Sequence, residues 1–188
     1  MTRKVTICDL MTQVFYAVSV SPWDWHIAAM RLFHGASVIK EKCAPAWKLA
    51  EVTWPDNLGD EQNAYLQLVY PWCLLAGLSL EAMLKGIIIA NNPSQYKPHK
   101  AGWTCITRTH DLAKLCQLAK VGKWTKAEKA LMKVLTRQIL WESKYPTPKK
   151  SYNMDATIPD PLGWFDLYQA MFDKVDEKYK SIGVQCVK

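Results

Sequence analysis

The feature that most constrains the fold is a long apolar segment in the middle of the chain. The sequence carries no formal charge between Gln62 and Leu80, and the second half of this segment is apolar on nearly every face of a helix. A helix that is apolar all round must be covered by other elements, so we expect it to be the central helix of a bundle. Its apolar residues are Leu74, Leu75, Leu78, Leu80, Met83, Leu84, Ile87, Ile88 and Ile89.

The same segment is almost long enough to span a bilayer, and its polar residues decide between the two environments. Gln62, Gln67 and Pro71 interrupt it, and Glu81 and Lys85 follow at once. Charges are expensive to place in a bilayer, so we predict a buried helix in a protein without a membrane span.

Apolar periodicity and capping residues predict further helices. Ser21 can cap a helix that has Pro22 in its first turn and Asp24 two residues later. This helix should end near Lys42, before a loop over residues 43–60. The remaining predicted helices are about 61–90 with a kink or break at Pro71, 109–122 capped by Thr109, 125 to the prolines at 146 and 148, and 164–180.

No internal repeat and no convincing strand occurs in the sequence. We therefore predict an all-α, up-and-down helical bundle of about five helices. Residues 1–20 form an N-terminal arm, residues 21–146 form the bundle, and residues 147–188 form a loop and a C-terminal helix that packs on the bundle.

The sequence lacks the patterns that usually accompany disulfides, secretion, hydrolysis, phosphate binding and metal binding. The six cysteines are scattered without a Cys-x-x-Cys pair, which predicts reduced, mostly buried thiols in a cytoplasmic protein. Asp9 and Gln13 interrupt what would be the core of a signal peptide. We find no Gly-x-Ser-x-Gly, no phosphate-binding glycine loop, no His-Glu-x-x-His and no acidic cluster. We accordingly expect neither a metal nor a cofactor.

The positive charge is concentrated in one part of the chain. Residues 97–150 hold 13 Lys or Arg and three acidic residues, a local excess of +10. The remainder holds 11 basic and 14 acidic residues, a net charge of −3. This asymmetry favours a polyanionic partner, most simply RNA or DNA. The alternative is a solvated, lysine-rich helix face.

Three short motifs contain the ionisable residues that could carry function. Glu81 and Lys85 stand four residues apart, acid first, which suits an ion pair within a helix. Their apolar neighbours place the pair in or beside the interior, where it either lines a pocket or is purely structural. The second motif, His110 and Asp111, begins a helix, where free amide groups attract an anion. Alternatively, these two residues only cap the helix.

The third motif closes the fourth predicted helix with Glu142, Lys144 and Tyr145. A lysine at this position can simply complement the negative end of the helix. If this end lies beside Glu81 and Lys85, the residues together form a mixed-charge cluster with an aromatic wall. Such a cluster suits a nucleotide or a strand of RNA.

In these three motifs the chain resembles the HEPN domain, a small helical bundle of higher eukaryotes and prokaryotes. The motifs are Glu81-x-x-x-Lys85, His110-Asp111-Leu112 and Glu142-Ser143-Lys144-Tyr145-Pro146, and the likeness extends from about Pro22 to Pro146. The resemblance implies a bundle that often dimerises. It also implies RNA or nucleotide binding, in some members as a toxin-like ribonuclease and in others as the partner of a nucleotidyltransferase.

The sequence departs from the ribonuclease members of that family. Those members have a histidine four to six residues after an arginine, whereas Arg31 precedes His34 by three positions and Arg108 precedes His110 by two. The closing motif usually has an arginine where this chain has Lys144, a point charge in place of a bidentate fork. We therefore commit to no catalytic residue, with His110 as the candidate.

Three hypotheses follow from these observations. The first is a non-catalytic, HEPN-like module that binds RNA or nucleotide as a homodimer and acts with a nucleotidyltransferase or an antitoxin, in a toxin–antitoxin or defence setting. The second is a toxin-like, metal-independent ribonuclease in which His110 or His34 acts as acid–base and Lys144 or Arg108 holds the phosphate. The third is a structural module for protein–protein interaction.

Overall fold

All regular structure in the described part of the chain is helical. The computed structural model describes residues 20–52, 59–96, 109–142 and 161–183. Its helices are α1 (Pro22–Val52), α2 (Asp60–Gln67), α3 (Val69–Asn91), α4 (Leu112–Leu118), α5 (Lys126–Arg137) and α6 (Pro161–Ser181), with a π-helical turn (Gln138–Glu142) after α5. The predicted all-α helical bundle is confirmed for these ranges, whereas the arm predicted over residues 1–20 falls almost wholly outside them.

Helix α1 begins as predicted but is longer than predicted. The backbone N–H of Asp24 donates to the Ser21 hydroxyl at 3.2 Å, so Ser21 caps the helix. The helix then continues through Pro45 to Val52, and the predicted loop is wrong for residues 43–52. Cys43 and Ala46 are buried on either side of the exposed proline. Their burial offsets the backbone hydrogen bond that proline cannot make.

Helix α3 is the central helix of the bundle. Every residue from Ser79 to Ile89 is buried, including both ionisable ones. The helix predicted over about 61–90 is split in two, as expected from Pro71, but the break lies three residues earlier, where α2 and α3 meet at Leu68. Pro71 then lies in the first turn of α3, where its missing N–H removes no helical hydrogen bond.

One stretch among the described residues, Asp60–Asn91, is long and apolar enough to cross a membrane. Most of its apolar window is buried inside the protein. The core helix of a soluble protein has the same property, so its length and composition are weak support for a membrane span.

Helix α1 runs antiparallel to both α3 and α6. A Cβ at Gly35 would lie 3.2 Å from Leu75, and one at Gly86 would lie 3.1 Å from the Trp25 Cβ, so α1 and α3 are antiparallel. Helix α6 is antiparallel to α1, because His26 Nε2 lies 2.9 Å from Asp176 and Lys40 Nζ lies 3.0 Å from Asp166. Residues of α6 thus complete the core formed by α1 and α3.

A buried hydrogen bond fixes α6 against the central helix. The hydroxyls of Ser79 and Tyr168 lie 2.6 Å apart, and Ser79 also donates to the Ala76 carbonyl at 2.8 Å. Burial raises the pKa of Tyr168, so the phenol stays neutral. Tyr168 can therefore hold the position of α6 without placing a charge in the core.

Helices α4 and α5 form a hairpin whose two starts are both capped. Thr125 and Glu128 form a capping box at the start of α5, which confirms the predicted start. Helix α4 begins later than predicted, because Asp111 rather than Thr109 is its N-cap. The Leu112 N–H donates to the Thr136 hydroxyl at 3.2 Å and joins the two helices.

The π-helical turn lies against the central helix at a glycine. A Cβ at Gly77 would come within 2.8 Å of Ile139 Cγ1 and 3.2 Å of the Leu135 carbonyl oxygen. The 2.8 Å approach is shorter than Cβ contacts in proteins and the 3.2 Å approach is tight, so only glycine fits here without a shift of α5 or the π-helical turn.

We predict opposite effects of alanine at the two helical glycines Gly77 and Gly35. Gly77→Ala should lower the free energy of unfolding by about 1–3 kcal/mol, because the methyl group overpacks the contact with Ile139. Gly35→Ala should be neutral or raise it by up to about 1 kcal/mol, because Leu75 Cδ1 can move and alanine favours the helix. Urea unfolding measures both, and an equal loss in the two variants would contradict the packing described.

Candidate functional site

Two ionisable side chains of α3 are buried in the middle of the bundle. Glu81 is 6% exposed and Lys85 is 2% exposed. Lys85 Nζ donates to Glu81 Oε1 at 2.5 Å, the geometry expected from their spacing of four residues. Lys85 Nζ also lies 5.7 Å from the centre of the Trp25 ring on α1, within range of a cation–π contact.

His110 joins this pair from the segment before α4. Its Nδ1 lies 2.9 Å from Glu81 Oε2 and 3.1 Å from Oε1. An ionised carboxylate can only accept, so Nδ1 carries the proton in this contact. In the neutral ring Nε2 is then an acceptor, and the side chain is 38% exposed. The carboxylate therefore orients a histidine that a ligand can reach from solvent.

The burial of this charged group has an energetic consequence. Removing two charges from water costs several kcal/mol for each ion, and their attraction offsets this only when the geometry is good. Glu81 meets that condition, because it accepts from Lys85 and His110 together. We refer to Glu81, Lys85 and His110 below as the polar site.

The other predicted site residues have different positions. Asp111 is exposed, and its carboxylate accepts from the Lys114 backbone N–H at 3.1 Å as the N-cap of α4. Glu142 ends the π-helical turn, but its side chain lies outside the described residues, as do Lys144 and Tyr145. The structure thus brings together three of the seven predicted residues and places Asp111 at a helix end beside them.

Sequence reasoning missed how Trp25 and Gly86 shape this site. A Cβ at Gly86 would lie 3.1 Å from the Trp25 Cβ and 3.2 Å from the Pro22 carbonyl oxygen. The glycine lets the start of α1 approach α3, and this brings the Trp25 ring towards Lys85. The sequence signal is a glycine that directly follows the lysine and precedes three isoleucines.

Two of the three cysteines in the described part of the chain have buried thiols with a raised pKa. Burial raises the pKa of Cys43 to about 11 and that of Cys116 to about 12. Both thiols are therefore protonated near neutral pH and are poor nucleophiles. No group of three His, Cys, Asp or Glu side chains that could hold a metal ion occurs within the described residues.

Comparison with known proteins adds no relative to these observations. No family model, no curated protein and no solved structure matches the chain. The resemblance to the HEPN domain therefore stays a prediction, and the function has to be argued from the polar site and its surroundings.

We predict that the ion pair of the polar site is dispensable for folding only when both partners are replaced. Glu81→Leu or Lys85→Met alone should lower the free energy of unfolding by about 3–5 kcal/mol, because one charge stays buried without its partner. The double variant should lie within about 1 kcal/mol of the natural sequence. Urea unfolding measures all three, and a double variant as unstable as the single ones would show that the pair is structural.

Proposed function

We propose that the protein is an HEPN-like helical module that binds RNA or nucleotide in the cytoplasm, without catalysis of its own. One observation carries this proposal: a half-exposed histidine, oriented by a buried carboxylate, directly precedes a strongly basic helical hairpin in the chain. A dimer, and a partner such as a nucleotidyltransferase or an antitoxin, rest on the resemblance to the HEPN domain alone.

The basic surface covers the hairpin of α4 and α5. Its exposed cations are Lys114, Lys120, Lys123, Lys126, Lys129 and Lys133. Glu128 is the one acidic residue of α5, and its charge is balanced by Lys174 of α6, whose Nζ lies 3.6 Å from its Oε1, while it also accepts from the Thr125 backbone N–H. Although burial opposes its charge, these hydrogen bonds and Lys174 lower the pKa of Glu128 and keep it ionised in that structural role.

Three lysines of α5 form one stripe of this surface. Lys126, Lys129 and Lys133 are spaced by three and four residues, which places them on the same helix face. Lysines in such a row match the repeated phosphates of a nucleic acid backbone, and binding releases condensed counterions. His110 immediately precedes the hairpin, so a strand that follows the stripe can reach the polar site.

We predict that RNA affinity falls steeply with salt and that the α5 stripe sets the slope. Replacing Lys126, Lys129 and Lys133 by Gln should reduce the slope of log K against log [salt] by about 0.7 for each phosphate of a single strand that the variant no longer neutralises. Fluorescence anisotropy of a labelled RNA over a salt series measures this slope.

The matched control changes the same charge on another face. Arg31, Lys42 and Lys48 are exposed on α1, and their replacement by Gln should leave the slope nearly unchanged. Equal reductions in the two triple variants would point to net charge rather than a binding surface. A natural protein that binds no RNA at any salt concentration would remove the proposal, and a tight oligomer free of nucleic acid would favour the protein-interaction hypothesis.

A second candidate function is supported by the contact between Glu81 and His110. A carboxylate that holds Nδ1–H, with Nε2 bonded to none of the described residues, is the arrangement in which histidine serves as general base. This favours the metal-independent ribonuclease, with His110 rather than the exposed His34 as acid–base. Arg108 and Lys144, to which that hypothesis assigns the phosphate, lie outside the described residues.

If the protein cleaves RNA, we predict that cleavage depends on His110. His110→Ala should reduce the rate by about 10²–10⁴, the usual contribution of a positioned acid–base group. Cleavage of a labelled RNA without divalent metal is the measurement, and relief of any growth defect on expression should accompany the loss. His34→Ala is the matched control, and an unchanged rate in His110→Ala would rule out His110.

A further inference from the structure

The hydrogen bond between Glu81 and His110 determines what the exposed side of the imidazole ring offers to a ligand. Nδ1 lies 3.1 Å and 2.9 Å from the two carboxylate oxygens, so it is the donor of this contact. In the neutral ring Nε2 is then an acceptor. Within the described ranges Nε2 has no hydrogen-bond partner, and the side chain is 38% exposed. A neutral His110 therefore accepts a hydrogen bond from a ligand that carries a donor.

Lys85 allows His110 to stay neutral in this contact. Its Nζ donates to Glu81 Oε1, and both side chains are buried. The charge of Lys85 balances that of the carboxylate, so Glu81 needs no second cation. A neutral imidazole that donates from Nδ1 completes the hydrogen bonds of Glu81 without adding an unbalanced charge to the polar site.

The surroundings of His110 suit a hydroxyl group better than a phosphate group. The oxygens of a phosphodiester can only accept, so they cannot pair with the acceptor Nε2, whereas a hydroxyl can donate to it. Asp111 follows His110 directly, and its carboxylate is exposed and accepts from the Lys114 backbone N–H. This negative charge opposes a phosphate beside it but not a neutral hydroxyl.

In a nucleic acid the hydroxyl with the most consequence is that of the ribose 2′ position, since it distinguishes RNA from DNA. The lysines of the basic surface neutralise phosphates, which both kinds of strand contain. Phosphate contacts position a strand but give no preference for its sugar. A contact to the 2′-hydroxyl adds the preference that the lysines cannot supply.

We propose that Nε2 of His110 accepts a hydrogen bond from a ribose 2′-hydroxyl, so that the polar site selects RNA over DNA. This inference rests on the proposed RNA binding and names the group that the polar site recognises. It assigns sugar selectivity to His110 and salt dependence to the lysines, two properties that can be measured separately.

The test compares labelled single strands of one sequence that differ only in the sugar. The probes are RNA, DNA with deoxyuridine in place of thymidine, and 2′-fluoro RNA, which keeps an RNA-like sugar pucker but has no hydroxyl to donate. By fluorescence anisotropy the natural protein should bind RNA about 2- to 10-fold more tightly than either other probe, the range of one hydrogen bond. The slope of log K against log [salt] should be the same for all probes, because their phosphates are the same.

His110→Phe keeps a flat ring of similar size without the acceptor. This variant should bind all probes with the affinity that the natural protein has for 2′-fluoro RNA. His34→Phe is the matched control, because His34 is exposed on α1 and is not part of the polar site, and it should keep the preference for RNA. The comparison of probes on the natural protein does not depend on how well the variant folds.

Equal affinity of the natural protein for RNA and 2′-fluoro RNA would overturn the inference, as would a preference for RNA that persists in His110→Phe. An equal loss on all probes in His110→Phe would also overturn it, since His110 would then act on the fold rather than on the sugar. In these outcomes the natural protein still binds RNA, whereas no binding to any probe would remove the proposed function as well.

Discussion

The arrangement of the site depends on the contacts of one buried group, the carboxylate of Glu81. It lies on the central helix and binds Lys85 of the same helix and His110 from the segment before α4. Because a buried charge is tolerated only with its partners in place, the segment before α4 cannot shift independently of α3. The Trp25 ring beside Lys85 extends this dependence to α1.

The same carboxylate determines which nitrogen of His110 is available to a ligand. Glu81 accepts a hydrogen bond from Nδ1 of His110. Nε2 of the half-exposed ring is therefore the nitrogen available to a ligand. The basic hairpin follows directly in the chain, and its capped helix ends hold the lysines at fixed spacing. Binding and acid–base chemistry would use the same histidine, and they differ in whether a scissile phosphate is held beside it.

Much of the fold was predictable because local signals agree with the tertiary structure. Ser21 and Thr125 cap their helices through their own side chains, and Pro71 marks the break before α3, all effects that act within a few residues. The prediction was wrong at Pro45, where packing of Cys43 and Ala46 outweighs a local helix-breaking preference. Asp111 replaced Thr109 as the cap of α4, since two nearby residues could each fill that role.

For the site, too, some features were predictable from the sequence and others depend on the tertiary structure. The sequence alone determined that α3 is central and that Glu81 and Lys85 form a pair, because helical periodicity brings residues four apart into contact. Only the tertiary structure decided that His110, 29 positions away in the chain, turns Nδ1 towards Glu81. It also decided that the His26 ring lies between the rings of Trp23 and Tyr179. Such contacts arise from the packing of whole helices, which no local pattern encodes.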